Sequence, residues 1–122
     1  MGYAQASSAY AALDPALTSP GRAEARVFAT ITRRLRSVFS DTTSAPTSRV
    51  RVLHDNRRLW QAAAMQCADD DNTLSPDLRA AIISLAGFVD RETSRLLRDG
   101  GDAAVLIEIN TRLAAGLSAQ GV

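Results

Sequence analysis

The stretch Asn56–Val89, NRRLWQAAAMQCADDDNTLSPDLRAAIISLAGFV, decides how this chain folds. Large apolar side chains recur at steps of three and four residues on both sides of the acidic run Asp69–Asp71, which predicts two amphipathic helices. Acids at a helix C-terminus oppose the helix dipole, so the first helix should end at Cys67 or Ala68 and leave the acids in a loop. A Ser-Pro pair then predicts the next helix, with Ser75 as its N-cap.

Helical spacing continues outward from this stretch, and no segment alternates with period two for long enough to form a strand. We therefore expect an all-α fold: a small bundle of four amphipathic helices plus a short N-terminal helix. Ser19 and Pro20 are typical of a helix start, and that helix should stop near Ser40. Further along, Gly100-Gly101 should end the helix of the quoted stretch, with one glycine in the left-handed region. Asp102 should cap the last helix.

The composition of DTTSAPTS (41–48) predicts a loop. The helix that holds Trp60 should begin around the end of this loop, at Thr47 or Ser48. Because the loops are short, neighbouring helices should run antiparallel. The most apolar helix, which carries Leu78–Val89, should lie at the centre of the bundle. The apolar stripes expected to face the core are Val27, Phe28, Ile31, Leu35, Val38 and Phe39; Val50, Leu53, Trp60, Ala64 and Cys67; Leu78, Ile82, Leu85, Phe88, Val89 and Leu96; and Val105, Leu106, Ile109, Leu113 and Leu117.

An alanine-rich segment at the N-terminus, Tyr3–Leu13, has helical spacing and places Tyr3, Tyr10 and Leu13 on one face. Asp14-Pro15 should end it, because a residue before proline avoids the α region. A helix of this length is not stable alone. Its aromatic face should therefore dock, either on its own bundle or on a partner.

We expect residues 1–122 to form a single domain. Residues 1–18 would be a detachable helix and linker, and residues 118–122 a frayed tail, because Gly116 weakens the last turn.

Glu24 falls in the early turns of its helix, where the dipole favours an acid.

The bulk composition excludes several classes of protein. The net charge of +1 gives no strong field for nucleic acid or an anionic membrane. The single Cys excludes an intramolecular disulfide. No apolar run approaches the roughly 20 residues of a membrane span, and the N-terminus lacks the basic region of a signal peptide. We expect a cytoplasmic protein with no membrane contact.

No group of residues predicts catalysis, a metal site or a cofactor. His54 and Asp55 are adjacent, and adjacent helical residues point in different directions. Cys67 lies about 20 Å from His54 along a straight helix, too far for a catalytic pair. The acids Asp69–Asp71 lack the alternating ligands and central Gly of a calcium loop. We expect a protein that is not an enzyme, with Cys67 packed in the core.

The basic residues, 14 in number, are all Arg. Arg57 and Arg58 lie beside Trp60, the only Trp, which would suit either the core or an interface hot spot. We take Tyr3, Tyr10, Leu13, Trp60, Arg57 and Arg58 as candidate partner-binding residues. A wider patch could bind an RNA backbone, although no aromatic stacking platforms lie beside it. It would contain Arg33, Arg34, Arg36, Arg49, Arg51, Arg57 and Arg58.

Three segments in order, NRRLW (56–60), CADDDNTLSPDLRAAIISLAGFV (67–89) and IEINTRLAAGL (107–117), resemble the FlaF family. The segment EARVFATITRRL (24–35) and the N-terminal Tyr and Ala residues add to the resemblance, which spans Tyr3 to Leu117.

The resemblance implies a cytoplasmic regulator in flagellated alphaproteobacteria that promotes flagellin synthesis and opposes FlbT, a repressor of flagellin mRNA translation. It also implies binding of flagellin before export, as a secretion chaperone does, and it carries no catalytic residues. Flagellin is the first expected partner and FlbT the second; the alternative is a regulator that binds flagellin mRNA directly through the Arg patch. We expect a cargo helix to dock where the Tyr3/Tyr10 helix docks, or beside it.

Overall fold

A computed structural model describes residues 20–120, which form four α-helices. They are α1 (Pro20–Ser40), α2 (Pro46–Ala68), α3 (Pro76–Asp99) and α4 (Ala104–Gln120). The all-α prediction is confirmed for this part of the chain. The expected helix Tyr3–Leu13 and the Ser19 cap lie outside the described residues.

Proline stands at the first position of α1, α2 and α3, where its missing N–H costs no hydrogen bond. Helix α2 begins at Pro46, slightly before the predicted Thr47 or Ser48, because the fixed φ of proline already suits the first turn. Helix α3 begins as predicted: the Ser75 hydroxyl accepts a hydrogen bond from the Leu78 backbone N–H at 3.3 Å.

The connection from α3 to α4 depends on two glycines and an aspartate. Both glycines have positive φ, 77° at Gly100 and 119° at Gly101, where one was predicted. The Gly100 N–H donates to the Leu96 carbonyl at 2.9 Å and closes α3. The Asp102 carboxylate accepts from the Ala104 N–H at 2.9 Å, which confirms the predicted cap.

The end of α2 lies at Ala68, as predicted, and Asp69–Asp71 lie in the loop. Arg79 of α3 completes this end, since its Nε donates to the Cys67 carbonyl at 2.9 Å and its Nη2 to the Asp69 carbonyl at 2.8 Å. These bonds satisfy carbonyl groups at the helix end that an isolated helix leaves without a partner.

Helix α4 extends to Gln120 and so includes residues 118–120, where we expected a frayed tail. The last turns are held by packing. Leu117 is fully buried, and a Cβ placed on Gly116 would lie 3.7 Å from Leu78 of α3. Gly116 therefore lies close to the neighbouring helix, and burial of this face outweighs its low helix propensity.

The helices pack as an antiparallel bundle in which α1 lies mainly against α4 and α2 mainly against α3. The direction of packing is visible in the pairs of residues that meet. Arg34 near the end of α1 pairs with Asp55 in the first half of α2. Arg57 near the middle of α2 bonds Ser94 near the end of α3. The prediction of antiparallel neighbours is confirmed.

The prediction that α3 occupies the centre is wrong. It makes little contact with α4, and Ile83 and Phe88 on its surface are exposed. Apolar content alone does not decide which helix is enclosed, because each helix of a bundle buries only its inner stripe. For the same reason, four residues of the predicted stripes lie at the exposed margin instead: Val27, Val50, Phe88 and Val105.

Trp60 lies at the centre of the core, where it is only 1% exposed. The Phe28 ring packs edge-on against it, with centroids 5.2 Å apart. Its indole N–H donates to the Asn110 amide oxygen at 2.9 Å, and the Asn110 NH₂ donates to the Asn56 amide oxygen at 2.7 Å. Both asparagines are fully buried. The backbones of α2 and α4 are not adjacent, so these side chains join two diagonal helices across the bundle.

Replacement of Asn110 should destabilise the fold strongly. In Asn110→Ala, the Trp60 N–H and the Asn56 carbonyl lose their partner inside the core, and we expect the free energy of unfolding to fall by about 3 kcal/mol. Urea unfolding followed by far-UV circular dichroism measures the change. The control is Gln61→Ala, an exposed amide on the same helix as Trp60, which should change stability by less than about 0.5 kcal/mol. Equal effects of the two substitutions would contradict a structural role for this network.

Candidate functional site

The structure separates the three predicted partner-binding residues of α2. Trp60 is buried and belongs to the core, so its side chain offers no surface to a partner in this conformation. Arg57 is half-buried and holds α2 to α3: its Nη2 donates to Ser94 Oγ at 2.6 Å, and its Nε lies 3.1 Å from an Asp90 carboxylate oxygen. Of these three, Arg58 alone is exposed.

The other predicted partner-binding residues, Tyr3, Tyr10 and Leu13, lie outside the described residues. Their docking stays a prediction.

Four of the seven arginines of the expected RNA-binding patch have partners within the bundle. Two face carboxylates, which reduces their attraction for an anionic backbone. Another donates to a hydroxyl, and a fourth lies over an aromatic ring. The pairs are Arg34 with Asp55 (2.8 Å), Arg57 with Asp90 (3.1 Å), Arg36 with Thr111 (3.2 Å) and Arg49 with the Phe39 ring centroid (5.8 Å).

Within residues 20–120, no three His, Cys, Asp or Glu side chains lie together in a way that could hold a metal ion. Over the same residues, no helix combines the length and the apolar character needed to cross a membrane. Cys67 is buried, and this burial raises the pKa of its thiol above the ordinary value, with a smaller contribution from the nearby Glu24 carboxylate. The thiol therefore packs as a small apolar group.

An open groove of about 650 Å³ lies between α1 and α4. Its walls are mostly small side chains, which leave room for the close approach of another helix. Arg22 and Arg26, one helical turn apart, lie at its edge. We call it the alanine groove; its remaining lining residues are Ala25, Ala29, Ala114, Ala115, Ser118 and Ala119.

A second, smaller groove of about 260 Å³ lies between α1 and α2. Val27 is its most prominent apolar residue, with 51% of its surface exposed. Leu59 of α2 is half-buried beside it. We call it the Val27 groove; its remaining lining residues are Ala23, Glu24, Ala62, Ala63 and Gln66.

Among residues 20–120, Glu24 is the one ionisable residue that lines the Val27 groove, and it also borders a small cavity that Cys67 and Ile82 line. Partial burial raises the pKa of its carboxyl above the ordinary value. Across residues 20–120, no side chain forms an ion pair or hydrogen bond with this carboxylate. Its position in the early turns of α1 led us to expect stabilisation by the helix dipole; in the structure, desolvation outweighs that effect.

Neither groove was found from the sequence. The alanines of α1 and α4 do recur at a spacing of four, which would bring small side chains together on one face. Glu24 lies beside the apolar stripe that includes Val27 and Phe28, and this position could have indicated partial burial of its carboxylate. The alanine spacing and the position of Glu24 indicate a groove only when the neighbouring helices are known.

Removal of the Glu24 charge should stabilise the fold near neutral pH. A raised pKa in the folded state means that ionisation opposes folding, so the protonated carboxyl gives stability that is present below its ordinary pKa and lost as the pH rises through the folded-state pKa. We expect Glu24→Gln to raise the urea midpoint at about pH 7 and to change it much less at about pH 4.

The control for this measurement is Glu108→Gln. Glu108 is exposed and pairs with Arg112 on the same helix at 3.0 Å, an interaction of small energy. A Glu24→Gln variant that is less stable than the parent at neutral pH would show that the carboxylate is well solvated or paired.

A model of the family described as "Flagellar protein FlaF" matches residues 6–117 of the chain. The match includes all of α1, α2 and α3 and most of α4. The chain matches no curated protein and no solved structure.

Proposed function

This chain belongs to the FlaF family of flagellar proteins, and we propose that it is a cytoplasmic chaperone that binds flagellin before export. By holding flagellin, it would promote flagellin synthesis and flagellum assembly and oppose FlbT, the repressor of flagellin mRNA translation. FlbT itself is the second candidate ligand.

The observation that carries this proposal is the alanine groove. A common mode of recognition lays the apolar face of an amphipathic helix in a hydrophobic groove of its partner. The segment Arg22–Ala29 spans about 10 Å of α1, two turns of helix, which suits one apolar face of a cargo helix. The small side chains allow close contact with such a helix.

The point at which residues 1–19 join the bundle supports the same surface. These residues join it at Pro20, at the end of α1 that carries the alanine groove. Six linker residues, 14–19, reach about 20 Å when extended. The face expected for Tyr3, Tyr10 and Leu13 would therefore be within reach of the alanine groove. We propose that it docks in the groove or beside the cargo helix.

Filling the alanine groove should weaken flagellin binding. We expect the double substitution Ala115→Gln with Ala119→Gln to raise the Kd for purified flagellin at least about tenfold, because the added side chains occupy the space of a cargo helix. Isothermal titration calorimetry with the full-length chain measures the Kd. The matched control is Ala80→Gln with Ala81→Gln, on an exposed face of α3, which should leave it within about twofold. Equal effects of the two pairs would place flagellin elsewhere.

The tyrosines can be tested in the same assay. Tyr3→Ser with Tyr10→Ser should change flagellin affinity, upward if the segment competes with cargo and downward if it contacts cargo. An unchanged affinity would refute a link between this segment and the cargo site.

The salt dependence of binding separates the protein ligand from RNA. Contacts to several phosphates should lose about a thousandfold in affinity between roughly 50 and 200 mM salt. Flagellin bound in an apolar groove should lose less than about tenfold. We expect the smaller dependence with flagellin and no tight binding of flagellin leader RNA. Tight, salt-sensitive RNA binding would support the mRNA-binding alternative instead.

A further inference from the structure

The two grooves lie on different faces of α1. Val27 follows Ala25 by two positions, or about 200° around the helix axis, and so points away from the alanine groove. Phe28 and Leu35, both fully buried, fill the face between them. A ligand in the alanine groove therefore does not cover the Val27 groove, and the smaller groove needs an explanation of its own.

The Val27 groove combines an exposed apolar side chain with an acid that has no ion pair within residues 20–120. Val27 is half exposed, although it belongs to a helix whose other large apolar side chains are mostly buried. Glu24 precedes it by three positions, so the two side chains are neighbours on the helix surface. Together, Val27 and the half-buried Glu24 carboxylate are complementary to a ligand in which an aliphatic side chain lies next to a cation.

The side chains of the chain's own N-terminal segment do not supply that cation. Residues 1–19 contain no Arg, Lys or His, and their one charged side chain is the acid Asp14. Docked in the Val27 groove, the side chains of this segment would place an acid near Glu24 or leave Glu24 without a side-chain ion pair. By charge, it suits the arginine-edged alanine groove better.

We propose that the Val27 groove is a second docking surface, for a basic amphipathic helix of another protein. An aliphatic residue of that helix packs on Val27 and Leu59, and an Arg or Lys one turn away pairs with the Glu24 carboxylate. Ion pairs of this kind are strongest where the groups are partly removed from water. This surface is independent of flagellin binding in the alanine groove.

The test uses a fluorescein-labelled synthetic helix as the probe. Its apolar face carries Leu at positions i, i+3 and i+7, and Arg flanks that face. A matched peptide has Glu in place of each Arg. Fluorescence anisotropy with the full-length chain measures both affinities. We expect the Arg peptide to bind at least about tenfold more tightly than the Glu peptide. Equal binding of the two peptides would overturn the proposal.

Variants of the chain locate the bound peptide. Glu24→Gln and Val27→Asp should each weaken binding of the Arg peptide at least about fivefold. Their controls are Glu108→Gln and Val105→Asp on α4, since Val105 is exposed to a similar degree, 45% against 51% for Val27. The controls should stay within about twofold. A loss of affinity as large in the controls would mean that the peptide binds by charge without using this groove.

Two further measurements test whether the variants fold and whether the chain associates with itself. Circular dichroism confirms folding, and Val27→Ala, a milder change, should show a smaller loss of affinity in the same direction. Light scattering of the parent chain tests whether a second copy fills the groove. A dimer that Val27→Asp dissociates would assign the surface to self-association and overturn the proposal of a foreign basic helix.

Discussion

The hydrogen bond from the Trp60 indole to Asn110 is the constraint on which the rest of the bundle depends. A buried N–H or amide without a partner costs free energy of the order of 1–3 kcal/mol. Few relative positions of α2 and α4 bring this indole, Asn110 and Asn56 into contact at once. Apolar stripes alone tolerate sliding of one helix along another. We infer that these hydrogen bonds fix the register of α2 against α4. Phe28, packed on Trp60, then fixes the position of α1.

Local chemistry made the helix boundaries predictable. The cap at Ser75, the glycines at Gly100-Gly101 and the aspartate at Asp102 each act within a few residues of their own position, so the sequence contains the whole interaction. The sequence did not reveal which helix is enclosed. That depends on how the apolar stripes pair, and the exposed Phe88 shows that a residue on a correct stripe still lies outside when no helix covers it.

The same limit applies to the charged residues. Arg57 and Arg58 are neighbours in sequence and were natural candidates for one surface. The structure turns Arg57 toward Asp90 on the next helix and leaves Arg58 exposed. Partners of this kind lie tens of residues away along the chain, and only the fold brings them together. Glu24 is the converse case. The helix dipole favours its ionised carboxylate, whereas burial of the carboxyl in the folded bundle disfavours ionisation and raises its pKa.

Helix α1 therefore borders the core, the alanine groove and the Val27 groove, each with a different face. Its inner face carries Phe28, Ile31 and Leu35 and is held by the core. On one side lies the alanine groove, whose margin is cationic; on the other lies the Val27 groove, whose charged residue is an acid. Because packed cores resist small displacements, a ligand in one groove should leave the other groove in place. We propose that charge separates the two ligands, because Glu24 would repel a helix with an acidic margin from the Val27 groove. By this proposal, a single small bundle distinguishes two different helices.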